Sequence, residues 1–118
     1  MSVDRASLHD KPELFFEMEG SSWLKLTPAA ARVVCTQAAS YGLVIVRVEG
    51  GIWHSPGFEA RIDCIWDGIN SLCTIDEARQ NNERAVRNIE HEQAAHGAFI
   101  LTAVPIVGYE HAKVRHAI

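Results

Sequence analysis

Two kinds of hydrophobic pattern alternate along this chain. Residues 58–68, FEARIDCIWDG, change character at every position. Side chains on a strand point to opposite faces in turn, so Ala60, Ile62, Cys64 and Trp66 fall on one face. Glu59, Arg61, Asp63, Ile65 and Asp67 fall on the other, which shows water three carboxylates and one guanidinium. Residues 43–48, LVIVRV, are almost continuously β-branched or aliphatic, the pattern of a central strand covered on both sides. Residues 98–104, AFILTAV, predict a second buried strand, stopped by Pro105. Gly50-Gly51 predicts a tight turn or bulge, residues 52–54 a short strand, and Ser55-Pro56-Gly57 another turn.

Helical spacing appears twice. Thr27-Pro28 is a helix start, with a Thr cap followed by a Pro whose missing N–H costs little there. The Ala-rich run then extends to Gly42, with Val33, Val34, Gln37 and Tyr41 expected on its buried side. Thr74-Ile75-Asp76-Glu77 is a capping box, and Asp76 and Glu77 suit the positive end of the helix dipole. Ile75, Ala78, Ala85, Val86 and Ile89 form a narrow apolar stripe, while Arg79, Glu83 and Arg87 follow at four-residue spacing on the solvent side. Residues 13–19 read either as a short helix capped by Asp10 or as an edge strand, and residues 23–26 are too short to assign. The strand at 58–66, the helix from Thr74 and the strand from Ala98 make a crossover unit, right-handed if those strands are parallel. The fold class is α/β of the α+β type, a mixed sheet of three to five strands packed against two main helices.

The chain's 118 residues suit a single domain over 1–118, with loose ends at 1–11 and 112–118. With 47% hydrophobic and 22% charged residues it can bury a core, which argues against wholesale disorder. The formal net charge of −4 argues against nucleic acid or an anionic membrane as partner and fits a basic protein partner. Polar residues occupy the position of a signal peptide's apolar core, and no apolar run approaches the ~20 residues of a membrane span. The odd count of three cysteines points to reduced thiols and a cytoplasmic setting.

No catalytic motif stands out. His91-Glu92 and His96 look like a zinc-protease signature, but that motif needs histidines four apart. At a spacing of five the two imidazoles diverge by about 140° around a helix, so the run reads as a polar helix end. Cys64 and Cys73 lack the close spacing of structural zinc ligands, and Cys64 and Trp66 read as core. Cys73, beside the Thr74 cap, is the candidate nucleophile if the helix terminus lowers its pKa; the alternative is an unreactive loop thiol. Cys35 reads as packing. Gly50-Gly51 lacks a phosphate-loop context, so no cofactor is expected. Glu59 to Asp67 spans about 26 Å along a strand, too far to converge on one metal or one bond. The carboxylate row is therefore either a solvated face or a contact surface for a basic partner. Trp53 and Tyr109 are either core or interface anchors, and Trp53 is the better candidate for an exposed one.

The Ala-rich helix running into YGLVIVRVEGGIW, followed by FEARIDCIWDG, resembles the small α/β immunity proteins that protect bacteria from their own polymorphic or contact-dependent toxins. The resemblance covers residues 29–68, about a third of the chain. It implies a stoichiometric inhibitor without catalytic residues, cytoplasmic, that occludes the active site of a cognate toxin such as a nuclease. Acidic side chains would meet a basic cleft, and charge steering would speed the encounter. The expected partner-binding residues are Glu59, Arg61, Asp63 and Asp67, with Trp53 as anchor. The competing classes are a small enzyme using Cys73 or a histidine, and an accessory domain with an apolar ligand pocket behind the 43–48 strand.

Overall fold

The computed structural model describes residues 3–54 and 57–107, apart from the side chain of Ile62. Tyr109 and the expected loose end at 112–118 lie outside these residues. The elements are α1 (Glu13–Glu17), β1 (Ser22–Leu26), α2 (Pro28–Gln37) continued by a 3-10 turn (Ala38–Tyr41), β2 (Leu43–His54), β3 (Gly57–Asp67), α3 (Ile75–Glu92) and β4 (Ala98–Pro105). The four strands form one sheet in the order β1-β4-β2-β3. This is the expected α+β architecture. The mixture of strand directions is slight: all three strand pairings are antiparallel, and a parallel contact occurs as the His9–Leu26 bridge. Because β3 and β4 both run against β2, they point the same way. Helix α3 carries the chain from one to the other across β2.

Thr27 caps α2 as its sequence requires, its hydroxyl accepting the Ala30 N–H, and Gly42 ends the helical run in the left-handed region at φ 74°. The buried side differs from the expected one. Ala30, Ala31, Val34, Cys35, Ala38 and Ala39 face inward, whereas Val33 and Tyr41 are exposed. Alanines have little side chain to hold the backbone away, so the helix approaches its neighbours on its small residues and turns the larger ones out. Tyr41 instead stacks on Phe16, ring centroids 3.9 Å apart. Residues 13–17 resolve as helix, with Pro12 rather than Asp10 at the cap position.

Gly50 and Gly51 lie inside β2, at the expected bulge rather than in a turn, since the register with β3 shifts between Glu49 and Gly51. Each clears room for a neighbour: a Cβ on Gly50 would overlap the Cys64 sulfur, and one on Gly51 would strike the Phe58 ring and the Glu59 carbonyl. The sheet's inner face joins α1, α2 and α3 in one core that includes Phe15, Leu24, Leu26, Val34, Ile45, Val48, Ile89, Phe99 and Leu101. Each large side chain of this kind contributes roughly 1.5–3 kcal/mol by leaving water. Residues 3–11, expected to be loose, are tied to β1. The His9 N–H donates to the Lys25 carbonyl, the Thr27 N–H to His9, and the Lys25 ammonium to the Arg5 carbonyl.

Helix α3 carries the predicted capping box: Thr74 accepts the Glu77 N–H at 3.0 Å and Glu77 accepts the Thr74 N–H at 2.8 Å. The same box removes the reason to expect an activated Cys73. The carboxylate sits at the helix terminus, and burial and then the charge of Glu77 push the half-buried thiol up from its ordinary value.

Two side chains on α3 were not legible as core. Asn81 and Asn82 are buried at 1% and 2% exposure, on the helix face that meets β2. Strand β3 ends opposite Arg47, which leaves the start of β2 without a strand on that side. The asparagines take its place. Asn82 accepts the Ile45 N–H at 2.9 Å and donates to the Leu43 carbonyl at 3.2 Å. Asn81 donates to the Ile45 carbonyl at 2.7 Å and accepts the Ile69 N–H at 2.9 Å. Gly68 lets the chain pass close by, since a Cβ there would collide with the Ile45 carbonyl and the Asn81 amide oxygen.

Removing either amide strands buried backbone groups, each costing about 1–3 kcal/mol. Asn82→Ala is expected to lower unfolding free energy by about 2–3 kcal/mol, read from the urea midpoint; an unshifted midpoint would mean that these bonds contribute nothing net. In the native protein, alkylation of Cys73 should be slower than that of a free thiol at neutral pH and still climbing above its ordinary pKa of 9.0. Cys35, buried and pushed far higher, should react only on unfolding.

Candidate binding surface

The sheet face away from the helices carries two rows that can be read across the strands. Trp23, Thr102, Arg47 and Asp67 are successive cross-strand neighbours in one. Lys25, Ile100, Glu49 and Ile65 are neighbours in the other. None of these eight residues is buried. The β1 end of this face is covered in part by the Arg5 guanidinium, 5.1 Å from the centre of the Trp23 ring. The β3 end has no such cover among the described residues.

Strand β3 supplies the expected carboxylates, but not as one row. Glu49 stands opposite Ile65 and Gly51 opposite Ala60, so five steps along β3 are set against two along β2. An excess of three residues is odd, and an odd excess exchanges the two faces. Asp67 and Ile65, beside Arg47 and Glu49, therefore lie on the open face. Glu59, beside Ile52, lies on the face that the helices cover further along. The single five-residue face of the sequence reading is divided by this bulge.

Each charge has its own surroundings. Asp67 pairs with Arg47 at 2.9 Å, which raises the guanidinium's already high pKa. Glu59 accepts from His54 at 2.8 Å and pairs with Arg61 at 3.2 Å. The His54 hydrogen bond first, and the Arg61 charge second, hold the Glu59 carboxyl below its usual range. Asp63 is exposed within the bulge, and its side chain makes no hydrogen bond or ion pair among the described residues. Arg47 and His54 were not singled out in the sequence. The signal was there, since both lie on the strand that precedes β3 in the chain, but assigning them needs the register.

Trp53 is half-buried and stands opposite Phe58 near the end of β2, so it is neither a core residue nor a fully exposed anchor. Cys64 is buried and Trp66 is half-buried against the core, as their parity implied. Strand β3 lies at the end of the sheet order, with no second partner strand among the described residues. Its backbone is an eleven-residue edge. The opposite edge, at β1, is engaged by His9. Concave surface also occurs between α2 and α3, where Thr36, Glu83, Val86 and Arg87 line an open groove. No helix among the described residues is long and apolar enough to cross a membrane.

Comparison with known proteins matches residues 24–104, from β1 to β4, to the family of the Colicin-E5 Imm protein. The chain is 45% identical over 109 residues to the immunity protein CdiI of Burkholderia pseudomallei, covering 92% of this chain and all of that protein. It is also 35% identical over 80 residues to the colicin-E5 immunity protein of Escherichia coli and to the colicin-E5 immunity protein in ColE9. Those two alignments cover 67% of this chain and 96% of each relative. The matched stretch contains the whole of β2, β3 and α3 and extends the resemblance seen in residues 29–68 to most of the chain. With a family model spanning more than half of its length and a relative 45% identical throughout, the chain belongs to the colicin-E5 immunity protein family, whose members are toxin-neutralising inhibitors rather than enzymes.

Proposed function

We propose that the protein neutralises a cognate toxin by seating it along β3 and the adjoining open face, with Asp63, Asp67, Glu59 and Arg61 as contacts and Trp53 beside them at the hairpin. The observation that carries this reading is the free edge: the strand with three carboxylates against one guanidinium is also the edge with no second strand among the described residues. Edge strands attract other chains through unpaired backbone groups unless charge or cover prevents it. Here the charge selects the partner. A basic cleft, as in a nuclease that binds nucleic-acid phosphate, would find carboxylates where its substrate places anions. A site that encounters a partner this way gains in association rate more than in final affinity. The acting compartment in this reading is the cytoplasm, in keeping with three free cysteines. The net charge of −4 gives no support to nucleic acid or membrane as the protein's own partner.

The four charged contacts are not equivalent. Asp67 and Glu59 already have cationic neighbours, whereas Asp63 has no ion pair among the described residues. Exposed pairs such as Arg47–Asp67 contribute little to stability, so changing them leaves the fold in place.

Binding should be measured against the cognate toxin. Asp63→Lys is expected to slow association about tenfold or more at low salt, with a smaller effect at high salt and an unchanged urea midpoint. Asp67→Lys should act in the same direction but less, because Arg47 is released as Asp67 is lost. Wild-type association rates in both variants would show that the edge is only solvated surface and that the toxin sits elsewhere.

A further inference from the structure

Behind β3, on the side away from the proposed toxin contacts at Asp63 and Asp67, three side chains with metal-binding chemistry meet. Cys64 comes from the bulged strand, Glu92 from the last turn of α3, and His96 from the segment leading to β4. One donor atom from each lies within 4.8 Å of those of the other two. Cys64 and His96 are buried and Glu92 is half-buried. The sequence pattern hid this grouping behind a different one. His91 and His96 do diverge, but Glu92 and His96 are four apart and share a side: the His96 Nδ1 is 3.6 Å from a Glu92 carboxylate oxygen and 3.1 Å from its carbonyl oxygen. The other Glu92 oxygen lies 3.2 Å from His91, which is exposed.

We propose that Cys64, Glu92 and His96 form a three-ligand site for a single Zn²⁺ ion, with a water in the fourth position. Tetrahedral zinc with bonds of about 2.0–2.3 Å to S, N and O needs its ligand atoms about 3.5 Å apart, a small adjustment from the observed spacing. Thiolate, imidazole and carboxylate together suit zinc better than calcium or magnesium, which take all-oxygen sets. The charges also balance: a dication with one thiolate, one carboxylate and one neutral imidazole leaves a neutral buried centre. Binding would displace the Cys64 thiol proton to solvent as the Zn–S bond forms, so affinity rises with pH.

The surroundings favour a held sulfur. Gly50 has no Cβ, which would otherwise overlap the Cys64 sulfur. A bound ion would fasten the β3 bulge to the end of α3 and so hold the strand that presents Arg61 and Asp63. This role is structural and independent of whether the edge binds toxin.

Cobalt(II) is the probe, because a thiolate–cobalt bond gives a near-ultraviolet charge-transfer band. After chelator treatment and dialysis, the full-length protein should develop this band with one equivalent of Co²⁺ and lose it when Zn²⁺ is added. Zn²⁺ should raise the thermal midpoint of the wild type. Glu92→Gln, at a half-buried position that tolerates a neutral isostere, should weaken Zn²⁺ binding at least tenfold while circular dichroism stays native. Cys64→Ser should abolish the band, and Cys73→Ser should keep it. No band at stoichiometric cobalt, or a band lost with Cys73 and kept without Cys64, would overturn the proposal. In either case the trio is a hydrogen-bonded buried cluster and nothing more.

Discussion

The pair Asn81–Asn82 holds the arrangement on which the rest depends. Strand β2 is the longest in the sheet and pairs with both β3 and β4 only in its middle, over residues 47–51, but β3 stops before β2 begins. The run at the start of β2 that β3 leaves unpaired could have been closed by another strand. Instead, two amides from α3 satisfy it from the side, using both their donors and their acceptors. A buried amide left half-paired costs more than an apolar side chain, so the interaction fixes one docking position for the helix. That position places α3 against β2, draws the 68–74 segment past Gly68, and sets where the chain re-enters the sheet as β4.

With the helix fixed, the two sheet edges acquire different characters. The N-terminal segment is spent on β1, through His9, Arg5 and Lys25. The opposite edge carries the acidic strand and its bulge. Proteins usually protect such edges with charge, twist or cover, and β3 uses the first two. Those features also suit the landing site proposed above, for a partner that supplies positive charge and fits a strand whose two ends face opposite ways. An inhibitor needs no pocket and no strained side chain. It needs a rigid edge with its charges in fixed places, which the core and the α3 clamp provide.

The interior of the bulge illustrates how polar groups can gather where no motif announces them. Cys64, Glu92 and His96 come from three different segments and are unremarkable one by one. Removing the Gly50 side chain opens the space that the sulfur fills, and ending α3 at Glu92 brings the carboxylate and the following imidazole to it. The bulge therefore has an outer aspect with Asp63 exposed and an inner aspect with Cys64 enclosed.

The sequence by itself determined the local elements, because their causes are local. Thr27-Pro28 and the Thr74–Glu77 box start helices through their own backbone bonds, Gly42 ends one by adopting a positive φ, and the β-branched run at 43–48 commits to a strand. The α+β class and the immunity-protein resemblance followed from the order of those elements. Register and burial were decided only in three dimensions. Period-2 alternation assumes an unbroken ladder, so the three extra residues in β3 moved Glu59 and Asp67 to opposite faces without any mark in their own sequence. Asn81 and Asn82 read as polar helix surface because their partners, the backbone groups of Leu43, Ile45 and Ile69, become available only where β3 runs out. Pairing across the sheet likewise gave Asp67 its Arg47 and left Asp63 without an ion pair among the described residues, a distinction that composition and spacing cannot express because it depends on which strand lies alongside.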